Sequence, residues 1–138
     1  LGTLGYDGGV EIETFRKDAY NQIQELCNRF GWKTIHNQFL KRNTYLNIIS
    51  DTKVFVSPFG WGEFSLKDYE CVMCGCHILK PDIYYEDYPD IYKHCDSYNY
   101  NNLEQTISNC LSNIECTQQK VDRNQQLLSS MLLSFDTV

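Results

Sequence analysis

The segment from Ser57 to Glu63, Ser-Pro-Phe-Gly-Trp-Gly-Glu, carries residue types that can bind a diphosphate group. Gly60 and Gly62 permit a positive φ or a close approach between the backbone and a ligand. The helix predicted to follow would offer unpaired backbone N–H groups, which attract anions. A tight strand-to-helix turn without a ligand explains the same glycines about equally well. A Walker loop and a Gly-x-Gly-x-x-Gly fingerprint are both disfavoured, because the residues after the second glycine fit neither pattern.

Two carboxylates and several basic residues could bind the rest of such a ligand. The carboxylate of Glu70 can accept hydrogen bonds from both vicinal hydroxyls of a ribose, although many helical glutamates only face solvent. Glu63 is also explained as a favourable charge in the first turn of a helix. Arg16 is the leading phosphate ligand, because a guanidinium pairs well with phosphate oxygens. Lys80 and Arg42 are further candidates, and exposed basic residues commonly interact only with solvent.

The run from Cys71 to His77, Cys-Val-Met-Cys-Gly-Cys-His, contains possible metal ligands. A structural zinc site usually takes two pairs of ligands separated by a longer loop, and only His94 and Cys95 could complete such a set here. We therefore expect no zinc at this run and interpret its cysteines as packing residues. A cysteine nucleophile is disfavoured because a reactive thiol needs an exposed, activating environment.

Helices and strands alternate in the pattern that must position these residues. Apolar residues at intervals of three and four predict a helix from about 12 to 30 that ends at Gly31. A nearly continuous apolar run within residues 53–58 predicts a central strand covered on both faces. The other predicted strands span about 4–10, 32–39, 76–79 and 97–100, and the other predicted helices span about 45–51, 63–75 and 103–121.

This alternation predicts an α/β fold in which a parallel sheet has helices on both faces. Ligands of such sheets bind beyond the carboxyl ends of the strands, close to helix N-termini. Residues 57–63 and 80–86 are therefore the places to look for a site. Tyr84, Tyr85, Tyr88 and Tyr92 are interpreted as cover for the sheet edge, with the lining of an acceptor-facing loop as the alternative.

The composition fits one globular domain of 138 residues. Twelve Lys and Arg against eighteen Asp and Glu give a net charge of -6, which argues against nucleic acid as a partner. No apolar run reaches the roughly 18 residues of a membrane span, and the start lacks a signal-peptide pattern. Seven cysteines, an odd number among apolar neighbours, indicate reduced thiols in a cytoplasmic protein. Because Leu1 is not Met, we expect a processed start or a piece of a longer protein.

The stretch from Val54 to Asp82, VFVSPFGWGEFSLKDYECVMCGCHILKPD, resembles the donor-binding half of GT-B glycosyltransferases. In that superfamily the C-terminal Rossmann-like domain binds a nucleotide-activated sugar. The similarity is greatest from Glu70 to Leu79, where a glutamate, small and apolar residues, a Cys-Gly pair and a short strand follow one another. It is specific over 29 residues, and the rest of the chain matches only in length and order of elements.

The resemblance implies a role for each carboxylate. Glu70 corresponds to the glutamate that binds the nucleotide ribose, and Glu63 is the candidate catalytic residue that meets the transferred sugar. Retaining members have seven residues between these two glutamates, whereas six lie between Glu63 and Glu70, so that Gly62 aligns with the first position. A turn tighter by one residue would still bring Glu63 to the sugar.

The resemblance also implies where the donor binds and what else the reaction needs. The diphosphate is expected against residues 57–63, with Gly60, Trp61 and Gly62 as substrate-binding positions and Arg16 or Lys80 as the cation. No metal or other cofactor is implied. Catalysis in GT-B enzymes takes place between two Rossmann-like halves, so we expect an N-terminal acceptor-binding domain in the same chain or in another.

A second hypothesis comes from a different class of protein. The chain could be a non-catalytic α/β module that binds a nucleotide or a protein partner, because a fold does not secure a function.

Overall fold

The computed structural model describes residues 10–34, 41–58, 65–82, 90–99 and 101–136 of the chain. These residues form an α/β structure with three strands and five helices. In chain order the elements are α1 (Val10–Phe30), α2 (Arg42–Ser50), β1 (Val54–Val56), α3 (Leu66–Met73), β2 (His77–Pro81), β3 (Asp96–Tyr98), α4 (Leu103–Ser112) and α5 (Ile114–Asp136).

The three strands form a parallel sheet in the order β1-β2-β3. Phe55 lies opposite Ile78 in the first pairing, and Leu79 lies opposite Asp96 in the second. All five residues of β2 are buried, as is typical of a parallel strand that is covered on both faces. Within the described sheet β2 is therefore the central strand and β1 is an outer one, whereas the sequence predicts the run around Phe55 to be central.

Helices pack against both faces of this sheet, as the sequence predicts. Each face has its own apolar core, because side chains alternate between faces along a strand. The core on the first face joins the sheet to α1 and α4 through Ile23, Leu26, Val56, Leu79, Tyr98, Leu103, Ile107 and Cys110. The core on the second face joins it to α2, α3 and α5 through Ile49, Phe55, Cys71, Val72, Cys76, Ile78, Ile91 and Leu128.

The single closing helix predicted for about 103–121 is instead two helices that meet at Asn113. The backbone of Asn113 has a φ of −120° and a ψ of 68°, outside the helical region. Its side-chain oxygen accepts a hydrogen bond from the backbone N–H of Cys116 at 3.2 Å. Asparagine is one of the residues that most favours such an N-cap. It therefore ends α4 and begins α5 without breaking the apolar periodicity on which the prediction relied.

Two predicted strands near the start of the chain are not found where the structure can test them. Val10 belongs to α1, and residues 4–9 lie outside the described ranges. Residues 32–34 are not in a strand, and residues 35–39 again lie outside. Trp32 instead stacks on Phe30 with ring centroids 4.8 Å apart, so this aromatic residue packs against the end of α1. Among the described helices, none has both the length and the apolar character needed to cross a bilayer.

Candidate functional site

A buried group of polar side chains lies at the carboxyl ends of β1 and β2. Ser57 directly follows β1, Lys80 is the fourth residue of β2, and Asp68 belongs to the first turn of α3. Tyr92 comes from the segment before β3. We call Ser57, Asp68, Lys80 and Tyr92 the carboxyl-end cluster. It occupies the position at which parallel α/β sheets bind their ligands.

Asp68 is the centre of the carboxyl-end cluster. Its Oδ1 accepts a hydrogen bond from the Ser57 hydroxyl at 2.6 Å, and its Oδ2 accepts from Lys80 Nζ and from the Tyr92 hydroxyl, both at 2.7 Å. Lys80 Nζ also donates to Ser57 Oγ at 3.1 Å. Both members of the ion pair are removed from solvent, since the side chain of Asp68 is 0% exposed and that of Lys80 is 2% exposed. A charge in such a position requires a partner of this kind.

Tyr92 connects the carboxyl-end cluster to the N-terminus of α3. Its hydroxyl accepts a hydrogen bond from the backbone N–H of Ser65 at 3.3 Å. Ser65 is the N-cap of α3, and its side chain accepts from the N–H of Lys67. Burial, and next the negative charge of Asp68, raise the pKa of the Tyr92 phenol. Tyr92 is therefore a hydrogen-bond donor at neutral pH and holds Asp68 against the start of the helix.

A second charged group lies on α3 near its contact with α2. Arg42 Nη1 is 3.0 Å from Oε1 of Glu70. The side chain of Glu70 is only 12% exposed, whereas that of Arg42 is 67% exposed. The Tyr45 hydroxyl is buried beside them. Its pKa is raised, chiefly by burial and then by the negative charges that include Glu70.

Two cations come close together at the start of α3. Lys67 is half-buried in the first turn, and Arg16 of α1 is half-buried as well. Burial lowers the pKa of the Lys67 ammonium, and repulsion from Arg16 lowers it further. Glu70 and Asp68 act in the opposite direction and raise this pKa. The first turn of α3 therefore carries a cation, Lys67, that interacts with one further cation and with two carboxylates.

The structure gives a mixed picture of the residues predicted from the sequence. Gly60, Trp61, Gly62 and Glu63, which carry the predicted glycine turn and the catalytic carboxylate, lie outside the described residues. Arg16 and Glu70 both lie close to Lys67 at the carboxyl edge. Lys80 is there too, but its ammonium is bound to Asp68 and Ser57 inside the protein. Contact between Lys80 and a phosphate stays a prediction. The ion pair opposes such a contact, because the ammonium of Lys80 would have to leave Asp68.

Asp68 and Lys67 were not identified in the sequence, and Tyr92 was interpreted there only as cover for the sheet edge or as the lining of a loop. Of these, Asp68 alone left a signal of its role. Asp68 shares the spacing i, i+3, i+4 with Cys71 and Val72, and all three are buried on one face of α3. An acidic residue on an apolar helix face indicates a buried charge that needs a partner. Nothing in the spacing identified Lys67 as part of a cation pair or Tyr92 as the donor to Asp68.

The cysteine-rich run is divided between the two faces of the sheet. Cys71 and Cys76 belong to the core on the α3 face, and the contact between their thiols, followed by burial, raises the pKa of Cys71. His77 points to the other face and binds Asp96. All seven cysteines of the chain are free thiols. The interpretation of Cys71 and Cys76 as packing residues agrees with their place in the core.

The described residues establish an α/β arrangement, and folds of this class support many unrelated functions. Comparisons of the chain with protein-family models, with curated proteins and with solved structures found no match.

Proposed function

We propose that this chain binds a nucleoside diphosphate sugar and is the donor-binding domain of a GT-B-type glycosyltransferase. The proposal rests on Lys67, which lies in the first turn of α3 after the carboxyl end of β1 and whose pKa is affected by the charges of Arg16 and Glu70. Two cations and one carboxylate are the groups that a diphosphate and a ribose require.

The phosphate end of the ligand is assigned to the first turn of α3. A bound diphosphate would lie between Arg16 and Lys67 and would remove the repulsion that lowers the pKa of Lys67. The glycines of residues 59–64 belong to the segment that leads into this turn, which supports the same placement. The net charge of -6 does not oppose it, because local cations determine binding at this range.

The ribose end is assigned to Glu70, one turn further along α3. Residues three apart on a helix are neighbours, with Cβ atoms roughly 5–6 Å apart, so Lys67 and Glu70 can contact adjacent parts of one ligand. Arg42 holds one oxygen of Glu70 in place. The ion pair orients the carboxylate, and charge-assisted hydrogen bonds to hydroxyls are the stronger kind.

The carboxyl-end cluster holds the first turn of α3 against the ends of β1 and β2. Asp68 lies next to Lys67 in the sequence, and it is bound to the ends of both β1 and β2 through Ser57 and Lys80. The charge of Lys80 is already balanced by Asp68, so we assign Lys80 a positioning role. Rigid support of this kind reduces the entropy that a binding site loses when the ligand arrives.

In the proposed reaction the bond between the anomeric carbon and the β-phosphate oxygen breaks, and a bond from an acceptor hydroxyl oxygen to that carbon forms. The nucleoside diphosphate leaves with an additional negative charge, and the acceptor proton passes to a base. Arg16 and Lys67 would stabilise the leaving group electrostatically. Glu63 remains the candidate for the sugar contact, and the acceptor would be bound by a second domain. Seven free thiols suit a reducing compartment such as the cytoplasm.

Calorimetric titration tests the proposal. UDP-glucose, GDP-mannose, ADP-glucose and dTDP-glucose would be titrated in turn, together with the four bare nucleosides. At least one sugar nucleotide should bind, and its nucleoside should bind much more weakly. Arg16→Gln and Lys67→Gln should each weaken binding by about 1.5–3 kcal/mol, or roughly ten- to 150-fold.

Arg29→Gln is the matched control, because Arg29 lies on the same helix as Arg16 and thirteen residues away. That separation is about 20 Å along an α-helix, and Arg29 pairs with Glu104 on α4. Its affinity should equal that of the wild type. Absence of binding by all four donors, or equal losses in all three variants, would refute the assignment. Binding without donor hydrolysis or transfer, even with the acceptor domain present, would favour the non-catalytic nucleotide-binding module.

A further inference from the structure

A second polar cluster lies at the amino ends of β2 and β3, at the opposite edge of the sheet from the proposed nucleotide site. It consists of His77, Asp96, Cys110 and Lys120, and we call it the amino-end cluster. His77 and Asp96 are the first residues of β2 and β3, and Cys110 lies near the end of α4. One ligand atom from each of His77, Asp96 and Cys110 lies within 4.8 Å of the others.

These three donors form a set that suits zinc. Imidazole nitrogen, thiolate sulfur and carboxylate oxygen are the zinc ligands of proteins, whereas calcium and magnesium take oxygen ligands. His77 Nε2 is 2.8 Å from Asp96 Oδ2, and Cys110 Sγ is 3.4 Å from the same oxygen. Ligand atoms around a tetrahedral zinc are roughly 3.3–3.8 Å apart, given its bond lengths. Small outward movements of these side chains are enough to admit the ion.

His77 is the most deeply buried member of the amino-end cluster. Its Nε2 faces Asp96 and is the ring nitrogen that would bind an ion. Its other nitrogen, Nδ1, has no hydrogen-bond partner among the described residues. No hydrogen bond at Nδ1 therefore fixes the tautomer, and Nε2 can be the unprotonated nitrogen that a metal ion requires of histidine.

Lys120 occupies the solvent-facing side of the amino-end cluster. Its Nζ is 2.8 Å from Asp96 Oδ1 and 3.0 Å from Oδ2. Hydrogen bonds from His77 and then from Lys120 hold the pKa of Asp96 well below its usual range, so its carboxylate is charged. The side chains of Lys120 and Asp96 are 32% and 31% exposed. The ammonium can therefore move into water and leave Asp96 to another cation.

We propose that His77, Asp96 and Cys110 bind a zinc ion that displaces Lys120 from Asp96. Three protein ligands leave the fourth position of the ion for water, on the exposed side of Asp96. Binding transfers the thiol proton of Cys110 to solvent. Because the ion must replace the thiol proton of a buried cysteine, we expect moderate affinity. The ion would connect β2, β3 and α4. The proposal does not depend on the nucleotide site.

Titration with Co²⁺, a spectroscopic probe for zinc sites, tests the proposal. The reduced wild-type protein should bind one ion and develop a thiolate-to-cobalt charge-transfer band together with the visible bands of tetrahedral Co²⁺, and Zn²⁺ should abolish both. Cys110→Ser should lose the charge-transfer band and weaken binding by more than the roughly 10- to 100-fold that loss of an outer-shell partner costs. Cys74→Ser is the matched control, because Cys74 is a free thiol that packs against the core on the other face of the sheet, and its spectrum should equal that of the wild type.

Lys120→Met gives a test that does not depend on losing a ligand. It removes the competing ammonium and should tighten Co²⁺ binding roughly tenfold or more, with unchanged bands. The Lys120→Met variant tests the proposal even if Cys110→Ser fails to fold. The proposal is wrong if the wild type shows no thiolate band, if Cys74→Ser abolishes the band, or if Lys120→Met binds Co²⁺ no more tightly.

Discussion

At the scale of single residues, burial decides what a charge contributes. The pair of Asp68 and Lys80 and the pair of Arg29 and Glu104 have almost the same length, 2.7 and 2.8 Å. The first is almost wholly buried and the second is about half exposed. Water screens the exposed pair, whereas neither partner of the buried pair can lose the other without leaving an uncompensated charge.

Removal of one partner should therefore have very different effects on stability. Lys80→Met should lower the free energy of unfolding by about 3–5 kcal/mol, because it leaves Asp68 unpaired. Arg29→Met should lower it by less than about 1 kcal/mol. Urea unfolding monitored by circular dichroism measures both. Asp68→Asn combined with Lys80→Met should cost less than the two single losses added together. Equal losses in the free energy of unfolding for Lys80→Met and Arg29→Met would show that Lys80 does not compensate the buried charge of Asp68.

Glu70 is the residue whose substitution should separate binding from folding. Glu70→Ala should weaken the bound sugar nucleotide by about 1.5–3 kcal/mol, the scale of a lost charge-assisted hydrogen bond. Its partner Arg42 is largely exposed, so the melting temperature should change little. Glu104→Ala on α4 is the control with the same chemical change, and it should bind as the wild type does. Unchanged affinity in a folded Glu70→Ala protein would remove Glu70 from the ribose site.

Lys67 should make binding depend on pH in a predictable direction. Burial and Arg16 lower its pKa, so Lys67 loses its charge at a lower pH than an ordinary lysine, which titrates near 10.4. The affinity for the sugar nucleotide selected by calorimetry should thus be retained at neutral pH and decline as the pH rises through this lowered pKa. Calorimetry from about pH 7 upward measures the decline. Lys67→Arg, which stays charged, should retain its affinity to higher pH, and parallel curves for the two proteins would contradict a phosphate contact.

At the scale of elements, periodicity predicted well wherever local signals and packing agree. The apolar residues at intervals of three and four correctly predict that α1 extends to Phe30, and the apolar run around Phe55 is a buried strand, as predicted. The junction at Asn113 was missed because the apolar positions continue through it, so that only the cap distinguishes two helices from one. Strand order was not predictable, since pairing is determined by contacts between segments distant in sequence.

Gly75 is the residue that lets α3 end and β2 begin. Its φ is +83°, in the region that side chains rarely adopt. Gly75→Ala should therefore cost about 1 kcal/mol of stability. The added Cβ would lie 3.5 Å from Gln125 Nε2, an ordinary contact. Gly31→Ala is the control, because it has a φ of +70° and open space around it.

Similar losses in urea unfolding of Gly75→Ala and Gly31→Ala are expected if backbone strain is the cause. A much larger loss at Gly75 alone would mean that packing against α5 decides the effect.

At the scale of the whole molecule, the sheet separates two polar regions. The carboxyl ends of the strands hold Asp68 and Lys80 and lead into the proposed nucleotide site, while the amino ends hold His77 and Asp96. The sequence predicted the first region through a general rule for parallel sheets. It could not predict the second, because Asp96 and Cys110 meet His77 only after β3 and α4 have packed against β2.

The most direct test of the proposed function is to find where on the protein a sugar nucleotide binds. Backbone amide resonances of the isotope-labelled chain would be followed by NMR as the donor selected by calorimetry is added. The account predicts that the largest shifts fall at Ser57, Ser65 and Lys67, at the carboxyl edge, while His77 and Asp96 stay unchanged. Saturable shifts only at the amino ends of the strands, or no shifts with any of the four donors, would contradict the proposed function.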